Sequence, residues 1–145
     1  MFKILAERLP TALVPEGIVV KTLTTSLPDC MAVYAFGSQV QGTAGSQSDL
    51  DLAVLVAGYA DPLQLWDLAS QLADAVGCPV DLLDLRAAST VMQHQILSTG
   101  RCLWSNGLEA GLFECYVFSE KLNLDEARAA LLADIAKTGI VHAPR

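Results

Sequence analysis

Basic residues are scarce in this sequence. Nine Lys and Arg residues stand against 16 Asp and Glu residues, and the formal net charge is −7. Binding to the phosphate backbone of a nucleic acid needs clustered Lys and Arg side chains, so the composition argues against a long nucleic acid as a direct partner. A small nucleotide or a basic protein is compatible with an acidic chain.

Long apolar runs and paired cysteines are also missing. No segment approaches the roughly 18 consecutive apolar residues that span a bilayer, and the N-terminus lacks a cleavable apolar segment with a small-residue site. The four cysteines show no metal-ligand spacing, and the 145 residues contain no internal repeat. We therefore expect one cytoplasmic domain, residues 1–145, with free thiols and no membrane partner.

The most informative stretch is a loop of small residues between two apolar segments. It holds a Gly37-Ser38 pair and, after a gap of ten residues, Asp49-x-Asp51. The flanking segments, 31–36 and 52–56, are apolar enough to be buried strands. Each of these pieces is common in ordinary turns, but their combination indicates a site for phosphate and metal.

Alternation along a strand places the two aspartates on one face. Asp49 and Asp51 should point the same way, while Leu50 and Leu52 point into the core. Mg²⁺ takes a few carboxylates, keeps waters and completes its shell with substrate phosphate oxygens, so an open carboxylate pair suits one or two nucleotide-bound ions.

The pair before the loop supplies groups that bind phosphate. Gly37 lets the backbone approach a phosphate closely, and Ser38 can donate both its N–H and its hydroxyl to phosphate oxygens. The loop is therefore expected to hold a triphosphate and the following strand its metal.

The pattern Gly-Ser-x10-Asp-x-Asp between two apolar strands resembles the signature of the polymerase β-like nucleotidyltransferases. The short chain is similar to the minimal nucleotidyltransferase (MNT) family, whose members are commonly antitoxins paired with HEPN-domain ribonuclease toxins. The resemblance covers roughly residues 31–85. It implies nucleotide binding by Gly37, Ser38, Ser48, Asp49 and Asp51.

The resemblance also implies a third metal-binding carboxylate on a later strand. Segment 79–85 offers Asp81 and Asp84, which alternation places on opposite faces, and the family pattern matches Asp81. We expect Asp49, Asp51 and Asp81 to hold the metals and carry catalysis. Asp84 is expected to be solvated or to cap a helix.

The chain departs from the family pattern beside the loop. Many members carry arginines just after the Gly-Ser pair, where this chain has Gln39 and Gln41, so a charge that could clamp the triphosphate is missing. Arg86 and Arg101 could substitute. An Arg that follows a strand is, however, more often a surface charge whose stem packs on apolar neighbours.

The order of elements predicts an α+β (α/β) fold, a small mixed sheet flanked by helices. The catalytic core is expected over about 28–104 and a helical C-terminal region over about 107–138. Apolar spacing and caps predict a helical turn at 2–8 and helices at 16–27, from Pro62 to Gly77 and from Ser89 to Gly100.

The C-terminal region is predicted as two helices, 107–122 and a second that begins near Asp125. The first is apolar on more than one side. Either these helices close the core or a face stays free for a partner, and a hydrophobic fraction of 52% favours a stable complex. Trp66 and Trp104 are expected to be core or interface anchors.

Together with the resemblance, these features predict a protein adenylyltransferase that moves AMP from ATP to a hydroxyl and releases pyrophosphate. The resemblance implies two Mg²⁺ ions and, as acceptor, a tyrosine of a cognate HEPN toxin that the transfer neutralises. Two alternatives stay open. A small-molecule nucleotidyltransferase of the aminoglycoside type needs an acceptor pocket, for which the short chain has little room, and a non-catalytic antitoxin would act by occlusion.

Overall fold

The computed structural model describes residues 12–41 and 49–138, which form a mixed sheet with helices on both faces. The strands are β1 (Cys30–Phe36), β2 (Leu50–Val56), β3 (Val80–Asp84) and β4 (Arg101–Ser105). Their order is β3-β2-β1-β4, with β1 antiparallel to β2 and β4, and β2 parallel to β3. The predicted α+β class and the mixed sheet are confirmed.

Helices cover the sheet in two layers. They are α1 (Ile18–Ser26), α2 (Ser38–Gln41), α3 (Pro62–Val76), α4 (Thr90–Thr99) and α5 (Leu108–Thr138), with a 3₁₀ turn at Leu85–Ala87. One core cluster joins α1 and α3 to one face of the sheet, and a second joins α4 and α5 to the other. Since β1 and β2 are buried on both faces, their sequences are nearly continuous apolar runs.

Helix α3 carries the chain between the parallel strands β2 and β3. The Asp61 side chain accepts a hydrogen bond from the Leu63 N–H, and Pro62 occupies the first turn. Gly77 ends the helix at φ 77°, in the left-handed region. These signals place α3 where the sequence predicted it. Its buried stripe consists of Leu65, Leu68, Leu72 and Val76.

The C-terminal region differs from the prediction. It is one continuous helix, α5, so the second helix expected to begin near Asp125 is wrong. The stretch around Asp125 contains neither Gly nor Pro, and Lys121 pairs with Asp125 at 2.7 Å across one turn, so nothing local interrupts the helix.

Three further expectations concern the N-terminal segment, the membrane and the cysteines. The helical turn predicted at 2–8 lies outside the described residues. Within residues 12–41 and 49–138 no helix has the length and apolarity to span a bilayer. All four cysteines are free thiols, as expected.

Candidate active site

The sequence motif lies at one end of the sheet, where β1 ends and β2 begins. Asp49 comes directly before β2, and Asp51 is the second residue of that strand. Leu50 and Leu52 are fully buried against the α3 side of the sheet, as predicted. Asp51 therefore projects to the opposite face, which α4 and α5 share.

Strand register brings the third carboxylate to the same place. The parallel ladder between β2 and β3 pairs Asp51 with Asp81. Adjacent strands lie about 4.8 Å apart, and residues paired in this way present their side chains to the same face. Asp81 is thus the neighbour of Asp51, and both carboxylates are at least partly accessible to solvent.

The pKa of Asp51 reports the crowding of negative charge. Burial raises the pKa of its carboxyl group, and the charges of Asp81 and then Asp49 raise it further. These three are the carboxylates that the sequence singled out, and the structure brings them together. A cation placed among them would relieve both the repulsion and the loss of hydration.

The carboxylates suit a metal that arrives with its own ligands. Within the described ranges no group of three or more His, Cys, Asp or Glu side chains is arranged to hold a metal ion unaided. Mg²⁺ bound to a nucleotide takes only part of its shell from protein and the rest from water and phosphate oxygens. The donor set here, oxygen-only and open to solvent, fits that ion.

Gly37 is required by two independent constraints. Its φ of 78° lies in the left-handed region, which residues other than glycine rarely adopt. A Cβ built at this position would also collide with Oδ2 of Asp51. The turn after β1 therefore brings the backbone up against the carboxylate cluster, where the sequence predicted a phosphate contact.

The remaining members of the predicted nucleotide site are only partly described. Ser38 opens the short helix α2 directly after Gly37 and is half-buried. Ser48 lies outside the described residues, so its contact with nucleotide stays a prediction.

Asp84 has the capping role that the sequence favoured. Its Oδ2 accepts a hydrogen bond of 2.9 Å from the Ala60 N–H, and its Oδ1 accepts one of 3.0 Å from the Arg86 N–H. The carboxylate thus caps the 3₁₀ turn and ties the loop before α3 to the end of β3.

Neither candidate arginine lies on the face of the aspartates at their end of the sheet. Arg86 donates to the Val56 carbonyl oxygen at the far end of β2, and its guanidinium lies 5.0 Å from the centre of the Phe113 ring. Arg101, the first residue of β4, pairs with Ala35 of β1 and so belongs by register to the α3 face. Arg86 is therefore an arginine that packs on apolar neighbours, as expected of an Arg that follows a strand, and not a phosphate clamp.

A groove that sequence reasoning missed runs from Asp81 along β3. Its volume is about 810 Å³, and β3 and α3 form its walls. Trp66 lines it and is 74% exposed, so the core role is wrong for this residue, whereas Trp104 is partly buried against the core. The expectation that the short chain has little room for an acceptor pocket is also wrong. The volume of this groove lies within the range of small-ligand pockets, roughly 300–1,000 Å³.

Fold and site together define a nucleotidyltransferase of the polymerase β type. The family model described as "Polymerase beta, Nucleotidyltransferase" matches residues 19–108, which include Gly37, Asp49, Asp51 and Asp81. The chain belongs to this family.

Among characterised relatives, the chain is similar to the protein adenylyltransferase MntA of Shewanella oneidensis. The two are 37% identical over 130 residues, which cover 90% of this chain and 94% of MntA. Together with the family match, this similarity confirms the resemblance to minimal nucleotidyltransferases that the motif indicated.

Two solved structures extend the likeness to the fold. A crystal structure of a toxin-antitoxin with AMP-PNP matches with a TM-score of 0.72 and 38% identity, over 81% of this chain and 95% of the other. A structure of the tri-AMPylated Shewanella oneidensis HEPN toxin in complex with MNT antitoxin matches with a TM-score of 0.66 and 31% identity, over 94% of this chain and 99% of the other.

Proposed function

We propose that this protein is an antitoxin that transfers AMP from ATP to a hydroxyl group of a cognate HEPN-domain ribonuclease toxin and thereby neutralises it. The observation that carries the proposal is the pairing of Asp51 with Asp81 beside Asp49, at an open end of the sheet, in a chain 37% identical to a protein adenylyltransferase. The cytoplasm, where ATP is abundant, is the proposed site of action.

Nucleotide binding would fall to the turn after β1 and the start of β2. Ser38 would donate its N–H and hydroxyl to phosphate oxygens, and Gly37 would leave space for their approach. Ser48 would add a further polar contact. Asp49 and Asp51 would ligate the metal that accompanies ATP, and with Asp81 they would hold a second one.

Two Mg²⁺ ions, where bound, would neutralise the triphosphate and lower the pKa of the acceptor hydroxyl. Asp81 would accept the hydroxyl proton. The acceptor oxygen then forms a bond to the α-phosphorus, while the bond from that phosphorus to the bridging oxygen breaks and pyrophosphate leaves with its electron pair. A tyrosine hydroxyl is the proposed acceptor.

An unpartnered face of α5 supports association with another protein. Ala110, Phe113 and Val117 point into the core, and the opposite side carries an apolar stripe in which Leu108, Leu112 and Leu122 are 76%, 63% and 59% exposed. This outward stripe, completed by Cys115, repeats at intervals of three, four and seven residues, the spacing of a helix that packs against another helix.

Charges beside the outward stripe favour a basic partner. Glu109 and Glu126 are exposed on the same helix, and the whole chain carries −7. A helical toxin with Lys or Arg beside an apolar face would meet both features, since charge speeds encounter and apolar area slows dissociation.

A small-molecule nucleotidyltransferase remains the second candidate because the groove beside Asp81 could hold a compact acceptor. The two functions differ in what becomes labelled. Aminoglycoside-type acceptors would consume ATP in the absence of any protein partner, whereas an antitoxin would not use them.

Labelled ATP tests the proposal directly. The protein, its cognate toxin and Mg²⁺ are mixed with ATP labelled at the α- or the γ-phosphate, and the proteins are separated and counted. The α-label should pass to the toxin and the γ-label should not. Labelling of the toxin from γ-labelled ATP, or of an added aminoglycoside but not the toxin, would contradict the proposal.

A further inference from the structure

We infer that the groove beside β3 receives an extended segment of the acceptor protein, which pairs with the free edge of β3 and delivers its hydroxyl to Asp81. This inference rests on the proposed transfer of AMP to a protein. It adds how the acceptor is recognised.

The edge of β3 offers unpaired backbone groups. The Leu50 N–H donates to the Pro79 carbonyl oxygen at 2.9 Å. In a parallel ladder this bond sets the alternation, so the N–H and C=O groups of Val80, Leu82 and Asp84 point away from β2. Throughout the described part of the chain β3 has a strand neighbour on one side only, and the groove lies along the other side.

The opposite wall comes from α3 and leaves room for a polypeptide. Ala69, Ser70 and Ala73 are small, and Trp66 provides one large apolar surface among them. The Trp66 side chain is 74% exposed, so most of its ring is available to a partner. Backbone donors and acceptors on one side and small side chains with an aromatic surface on the other match an added strand, whose alternate side chains fill pockets.

The groove ends at the chemistry. Asp81 both pairs with Asp51 in the carboxylate cluster and lines the groove. A strand seated about 4.8 Å from β3 places a tyrosine within reach of Asp81 without rearrangement of the sheet. The hydroxyl proton passes to Asp81, the new O–P bond forms at the α-phosphorus of ATP, and pyrophosphate departs.

Charge favours an acceptor segment over a second copy of this chain. Two β3 edges from separate copies would bring together two chains that each carry −7, with both carboxylate clusters near the seam. Repulsion between two acidic surfaces disfavours such a pair. A segment that carries Lys or Arg would be attracted to the same carboxylates.

The first test fills the groove. Ser70→Trp places a bulky ring among the small residues of its wall, and Gln71→Trp places the same ring on the neighbouring exposed position outside the groove. Initial rates of α-label transfer to the toxin are measured against toxin concentration. Ser70→Trp should lose at least tenfold in kcat/KM, mainly through KM for the toxin, while Gln71→Trp behaves as the parent.

The second test removes the aromatic surface. Trp66 and Leu63 are 74% and 75% exposed, but only Trp66 lines the groove. Trp66→Ala should raise the KM for the toxin about fivefold or more, and Leu63→Ala should not. Affinity for Mg-ATP should be the same in all four variants and the parent.

Several outcomes would overturn the inference. The first is that Ser70→Trp transfers AMP to the toxin as well as the parent protein does. The second is that Ser70→Trp loses affinity for ATP to the same extent as it loses transfer. The third is that the parent protein is a dimer and that Ser70→Trp, alone among the variants, dissociates it. The second would assign the groove to the nucleotide and the third to another copy. If the parent protein itself transfers no α-label to the toxin, the proposed function is refuted, and this result is distinct from a failure of the groove variants.

Discussion

Asp51 stands opposite Asp81 in the parallel ladder between β2 and β3, so two carboxylates share one face of the sheet at its open end. Burial and the charges of Asp81 and Asp49 raise the pKa of Asp51. The arrangement costs folding free energy in the absence of a cation, and this cost is measurable.

Asp51→Asn should stabilise the metal-free protein at pH 7. A carboxyl group whose pKa is higher in the folded than in the unfolded state binds more protons when folded, so stability falls as the pH rises through that range. The variant lacks this titration. Its Tm advantage should be present near neutral pH and disappear as the pH falls toward the ordinary Asp pKa of about 4.

Asp67→Asn, at an exposed position on α3, serves as the matched control for replacing a carboxylate by an amide. A lower Tm for Asp51→Asn at pH 7 in the presence of EDTA would mean that the carboxylate is stabilised in the apo protein, contrary to this account.

Gly37→Ala should impair nucleotide transfer more than Gly58→Ala, although both substitutions strain the backbone equally. Gly37 and Gly58 have φ of 78° and 80°, but a Cβ at Gly58 meets no atom within 4 Å, whereas one at Gly37 collides with Asp51. Each substitution costs about 1–2 kcal/mol for the left-handed backbone. Only Gly37→Ala should also weaken Mg-ATP binding, measured by titration calorimetry, and equal affinities in the two variants would refute the contact.

Asp81→Asn and Asp84→Asn should differ in kind. Asp81→Asn should reduce α-label transfer about 100-fold or more while part of the ATP binding persists, because Asp49 and Asp51 still hold the metal of the nucleotide. Asp84→Asn should leave transfer nearly intact. It should lower the free energy of unfolding by about 1 kcal/mol, since the amide NH₂ of Asn cannot accept one of the two backbone hydrogen bonds that the carboxylate accepts.

Urea denaturation and transfer assays on both variants distinguish the two roles. A folded Asp84→Asn protein without activity, together with an active Asp81→Asn protein, would exchange the assignments.

Leu112→Lys should separate the protein from its toxin. Leu112 lies on the outward stripe and Leu132 does not, yet they are 63% and 65% exposed, which makes Leu132→Lys a matched control. Leu112→Lys should weaken toxin binding tenfold or more, measured by biolayer interferometry, without lowering the Tm of the free protein. Equal binding by both variants would remove the stripe from the interface.

Local patterns predicted how Asp49 and Asp51 are placed around Leu50 because a strand alternates its side chains with a period of two. The positions of Asp49 and Asp51 beside a buried Leu50 follow from that period alone. The pairing of Asp51 with Asp81 does not, since register between strands that are 30 residues apart depends on how α3 packs between them.

Two other features of the structure were not predicted from the sequence. The groove exists because Trp66 and Ser70 of α3 face an edge strand, and the exposure of Trp66 follows from this tertiary arrangement rather than from its type. The continuity of α5 through Asp125 does not follow from the apolar pattern, because that pattern can change along a helix without a break in the backbone.

The double variant Asp49→Asn/Asp51→Asn gives the most direct test of the central claim, that AMP transfer neutralises the toxin. Parent and variant are each co-expressed with the toxin, growth is followed, and the complexes are purified and weighed intact. The account predicts that the variant still co-purifies with the toxin, that the toxin gains no AMP, and that growth stops. Growth equal to that with the parent, with the toxin mass unshifted, would contradict it and show that occlusion alone neutralises the toxin.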